Sequence, residues 1–116
     1  MTEFSFPYVS VSSSGGEYFQ VCFEQYQDSE EAYLLIQRQF EDDDGGYFYI
    51  ESSQESLCGH FKIRHAELGR EVLRLEIIRL PAETVQIRFV ADDAHYEELK
   101  QTLSTMIPDD VFSILP

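Results

Sequence analysis

TVQIRFVADDAHYEELKQTLSTM, residues 84–106, contains the change of period that decides the fold. Val85, Ile87 and Phe89 alternate with Gln86 and Arg88, the two-residue period of a half-buried strand. Asp92 or Asp93 then offers a helix N-cap, and acidic residues there suit the positive end of the helix dipole. Tyr96, Leu99, Leu103 and Met106 recur on one helical face, and Pro108 stops that helix. The pattern predicts one strand, then one helix over about 93–107. A tail over 109–116 follows, apolar enough from Val111 onward to dock as a strand or a cap.

Upstream of residue 92 the period is that of strands. Phe19, Val21 and Phe23 alternate with Gln20, Cys22 and Glu24. FSFPYVSV, residues 4–11, reads as a first strand, and Pro7 puts it at an edge. Ser12–Gly16 reads as a loop. AYLLIQRQF (32–40) and YFYIES (47–52) read as a hairpin around the Glu41–Gly46 loop. LCGHFKI, with Phe61 and Ile63 in alternation, and EVLRLEII, with Leu73, Leu75 and Ile77 on one face, supply two more strands. The expected class is α+β, mostly β. It comprises an antiparallel sheet of about six or seven strands with one C-terminal helix packed on one face, in a single domain over 1–116.

The chain has 116 residues, with 22 Asp+Glu against 8 Lys+Arg and a formal net charge of −14. Such a charge is repelled by nucleic-acid phosphate and by anionic membrane surfaces, so neither is an expected partner. Seven Tyr and nine Phe argue for a folded chain despite the charge. No apolar run approaches the ~20 residues of a membrane span, and MTEFSFPYVS lacks the pattern of a secretory leader. Cys22 and Cys58 are too few for a disulfide scaffold, so reduced thiols in the cytoplasm are expected. The charge is concentrated. Residues 1–60 hold 12 acidic residues and one basic residue, Arg38, while 61–116 hold 10 and 7. An acidic surface of this kind suits a basic protein partner.

Motifs for catalysis are weak. Asp42, Asp44, Gly45 and Glu51 fall at calcium-loop positions, but Phe40 stands where the first ligand belongs, so a solvated hairpin loop is expected. His60 and His65 lie five apart, which in an ideal strand sends them to opposite faces, and neither cysteine has a second ligand at zinc spacing. No nucleophile elbow and no phosphate-binding glycine loop occurs, so no catalytic residue, cofactor or metal is expected. Arg38 alternates with Leu34, Ile36 and Phe40 on the apolar face, where a guanidinium needs a carboxylate or carbonyl partner. A carboxylate on a neighbouring strand is the expected partner. Tyr47, Tyr49 and Glu51 share the other face of their strand. Either they form a binding patch beside the Asp loop, or the rings pack and only the hydroxyls are wet.

Tyr33-Leu34-Leu35-Ile36-Gln37-Arg38, an acidic Gly-containing loop, then Tyr49-Ile50-Glu51 and Gln54 resemble the pattern of the immunity protein 10 family of bacterial polymorphic toxin systems. The likeness continues through Gly59, Leu68, the Leu73/Leu75 strand, the Val85–Phe89 strand and the helix with Leu99 and Leu103, over roughly residues 17–107. Gly59-His60 departs from the small-residue pair expected there. The resemblance implies a mostly β protein that neutralises a cognate toxin by binding it, with no catalytic activity. Asp42, Asp43, Asp44, Tyr47, Tyr49 and Glu51 are the expected contact residues, with carboxylates meeting Lys or Arg and tyrosines providing area. The rivals are a structural or regulatory homodimer joined through a sheet edge or the apolar tail, and a small enzyme using scattered residues such as Glu51, His60 and Arg38.

Overall fold

The computed structural model describes residues 2–25, 32–39, 46–53, 57–79 and 83–115. Nine strands form one sheet: β1 (Thr2–Phe6), β2 (Tyr8–Ser14), β3 (Tyr18–Glu24), β4 (Tyr33–Gln39), β5 (Tyr47–Ser52), β6 (Gly59–Leu68), β7 (Val72–Ile78), β8 (Glu83–Phe89) and β9 (Phe112–Ile114). The spatial order is β1-β8-β7-β6-β5-β4-β3-β2, with β9 beside β6. One helix, α1 (Asp93–Met106), precedes the final strand. The class is mostly β with a single helix, and every pairing is antiparallel except β1 with β8 and β6 with β9.

Nine strands exceed the six or seven expected, and two local causes account for the excess. Pro7 divides the N-terminal run. Thr2–Phe6 pairs with Val85–Phe89, whereas Tyr8–Ser14 pairs with Tyr18–Glu24. β1 and β2 are the two ends of the strand path, so one residue joins the sheet's opposite edges. A proline cannot donate to a ladder, and a bend there is where a strand can change partners. The second cause is the tail, whose Phe112–Ile114 adds to β6 in parallel. Ser12–Ser14, expected as loop, extends β2. The turn begins at Ser14, whose carbonyl accepts from the Glu17 amide at 3.1 Å, and Gly15 and Gly16 take the positive φ it needs.

The core lies on one face. Val21, Phe23, Leu34, Ile36, Phe48, Ile50, Ile63, Ala66, Leu73, Leu75, Val85 and Ile87 are buried there. The sheet curls enough for strands distant in its order to touch: the ring of Phe23 on β3 lies 6.3 Å from Phe6 on β1 and 5.8 Å from Phe89 on β8. Helix α1 fills the concavity with Leu99, Leu103 and Met106, each fully buried. Burying one such side chain is worth roughly 1.5–3 kcal/mol. Asp92 caps the helix by accepting from the His95 amide at 2.8 Å, and acidic Asp93 occupies the first turn. The last turn carries no basic residue of its own. Among the described residues no helix is long and apolar enough to cross a membrane.

Candidate functional site

Alternation in β3–β6 sends one set of side chains to the core and the other to the sheet's outer face. The strand registers align the outer set in rows. Gln20, Gln37, Tyr49 and His60 form one row across four strands. Cys22, Leu35 and Glu51 form the next, and Tyr47, Lys62 and Ile78 a third. Tyr47 and Ile78 are 44% and 53% exposed, large apolar groups that a sheet surface usually covers.

Glu51 organises the centre. Tyr33 Oη donates to its Oε2 at 2.7 Å, and Tyr49 Oη donates to its Oε1 at 2.7 Å. These bonds from Tyr49 and Tyr33 hold the Glu51 carboxyl below its ordinary range. In return the carboxylate pushes the Tyr33 hydroxyl up to about 12 and raises that of Tyr49. Beside them Tyr18 Oη and Gln37 Nε2 both donate to Gln20 Oε1 at 2.7 Å. The Tyr49 and His60 rings lie 5.3 Å apart, and Lys62 Nζ sits 5.1 Å from the Tyr47 ring centroid. Together they border an open groove of about 380 Å³, lined by Tyr18, Gln37, Gln39, Tyr47, Tyr49 and His60.

Of the expected contact residues, Tyr47 is exposed, and Tyr49 and Glu51 are half-buried and bonded to each other on this face. Asp42, Asp43 and Asp44 lie outside the described residues, as does the rest of the loop read against a calcium pattern. Arg38 also borders the groove, but its guanidinium turns to the helix side. There Nη1 donates to the Met106 carbonyl at 2.6 Å and the group lies 4.8 Å from the Phe48 centroid. Of the two partner types expected for this cation, the described acceptor is a carbonyl. Glu51 and His60 stand on the opposite face from that guanidinium.

A register shift between Ile63 and His65 changes the histidine geometry. It leaves Arg64 as the extra residue, so His60 and His65 both reach the outer face instead of opposite ones. His65 there meets Glu67 at 3.3 Å, and Arg74 binds Glu67 and Gln86, a charge-compensated surface. Cys22 is half-buried, and burial followed by Glu24 pushes its thiol up to about 12, far from a reactive thiolate. Among the described residues no group of His, Cys, Asp and Glu could hold a metal ion.

Sequence reasoning missed Tyr18, Gln20, Tyr33, Gln37, His60 and Lys62 as parts of this face. The signal was present for the first four, which alternate with core residues on β3 and β4. What it lacked was the register that brings Tyr33 and Gln37 beside Glu51 and Tyr49. Comparison with family models, with curated proteins and with solved structures finds no match for this chain.

Proposed function

We propose that this chain is a non-catalytic binding protein that neutralises a basic protein partner by docking it on the outer face of β3–β6, as an immunity protein blocks its toxin. The observation that carries this is the Glu51 clamp. Two tyrosine rings are fixed at the surface by both oxygens of one carboxylate, so little ordering entropy remains to be lost on binding. Tyrosines held this way make good interface anchors. They lie in the half of the chain that holds 12 of the 22 acidic residues and a single basic one. That field attracts a cationic partner. The resemblance of Tyr33–Arg38 and Tyr49–Gln54 to the immunity protein 10 family supports the same role, in the bacterial cytoplasm and without a cofactor.

The direct test uses the protein encoded immediately beside this one. Expressed alone it arrests growth of the host, and co-expression of this chain relieves the arrest. The purified pair forms a stable complex. A neighbour that is harmless, or whose toxicity this chain does not relieve, overturns the proposal.

A further inference from the structure

The direction of the hydrogen bonds around the groove restricts what can enter it. Tyr18 spends its proton on Gln20, and Tyr33 and Tyr49 spend theirs on Glu51. Gln37 spends an amide proton on Gln20 as well. A phenol has one proton and two lone pairs, and an amide oxygen has two lone pairs. With those protons directed along the sheet, Tyr18 Oη, Tyr49 Oη and Gln37 Oε1 keep lone pairs for a visitor. The register sets Gln37 opposite Tyr49 on β5 and opposite Gln20 on β3, the acceptor of the Tyr18 hydroxyl. The groove between them is also walled by the rings of Tyr18, Tyr47 and Tyr49.

Acceptors and π-faces together call for a flat cation rich in donors. Carboxylates and phosphates would face these lone pairs with only the second Gln37 amide proton, Gln39 and His60 as donors in the lining, and the net charge of −14 repels them at a distance. Arg38, which also borders the groove, directs its Nη1 to the Met106 carbonyl on the other side of the sheet. Lys62 lies over Tyr47 and leaves the Tyr18–Gln37–Tyr49 end to the visitor.

We infer that this groove receives an arginine side chain of the partner, its guanidinium stacked on the tyrosines and donating to Gln37 Oε1 and the tyrosine oxygens. Arginine fits better than lysine because its planar fork satisfies several acceptors at once and stacks on aromatic rings. This inference rests on the binding role proposed above and names the group that anchors the partner.

The test is a titration followed by NMR with N-acetyl-arginine methylamide, and with the citrulline analogue, which has the same shape without the charge. The arginine probe shifts the ring signals of Tyr18 and Tyr49 and the side-chain amide of Gln37, saturating at roughly millimolar concentration. The citrulline probe binds about tenfold more weakly. Gln37→Leu, which leaves the Glu51 clamp intact, weakens the arginine probe to a similar degree. Equal response to both probes, or shifts confined to other faces, overturns the inference. Because no partner is needed, such a failure would leave the neutralisation role standing. A harmless neighbouring protein would sink that role while the arginine groove survived.

Discussion

Arg38 Nη1 donates to the Met106 carbonyl at 2.6 Å, tying β4 to the last turn of a helix 68 positions further along the chain. The helix ends without a basic residue of its own. The sheet therefore supplies the cation that the negative end of the helix dipole favours. The same guanidinium covers Phe48, so its stem and head both belong to the core side of the sheet.

Arg38→Met keeps the apolar stem and removes the charged donor. A hydrogen bond from a charged group is worth about 1.5–3 kcal/mol. Urea unfolding should show a loss of about that size, with the slope unchanged because the exposed surface is the same. An unchanged or higher midpoint contradicts the structural role given to Arg38.

The tyrosine clamp has a pH signature. Glu51 is held below its ordinary 4.5, so its stabilising contribution is present above that value and is lost as pH falls through the lower folded-state value. Tyr33 is held above 10.0, so its contribution is complete below that value and is lost as pH rises toward about 12. The clamp is thus intact between those limits. Spectrophotometric titration of tyrosinate should show a late-ionising class. Glu51→Gln should bring that class back toward 10.0. An unchanged titration curve in that variant removes the clamp.

The two thiols should separate cleanly. Cys58 is exposed and its Sγ bonds the Ser52 main chain, whereas Cys22 is half-buried and its thiol is pushed up to about 12. Mild alkylation of the native protein followed by mass spectrometry should label Cys58 and spare Cys22 until the chain is unfolded. Equal labelling in the native state contradicts the packing of β3.

The period change at residue 92 made the helix legible to within a residue, because Leu99, Leu103 and Met106 are the buried stripe its spacing requires. The strands were legible for the same reason. Their number was not. The inward set changes phase at Pro7, from Phe4 and Phe6 to Val9 and Val11, but the change of partner there depends on which strands lie nearby, a long-range fact. The bulge at Arg64 did leave a mark, since Ile63 and Ala66 lie three apart and can both be core residues only if the alternation slips; reading His60 and His65 on an ideal strand passed over it. The site was half legible. Tyr47, Tyr49 and Glu51 follow from alternation on one strand. Tyr33, Gln37 and His60 join them only through pairing, which sequence periodicity does not specify.

Association with the proposed basic partner should be strongly salt-dependent. Charge steering is screened within about 10 Å at 0.1 M salt, and the net charge of −14 is large for 116 residues. Stopped-flow association rates should fall steeply as salt rises, with a smaller change in dissociation. Equal association rates at low and high salt remove the electrostatic part of the account.

The central claim is that the partner docks on the outer face around Tyr49. Calorimetric titration of the partner with Tyr49→Ala, alongside the unmodified protein, tests it most directly. The account predicts a loss of at least about 2 kcal/mol, roughly thirtyfold in affinity, with thermal unfolding still cooperative. Undiminished affinity in the folded variant would contradict it.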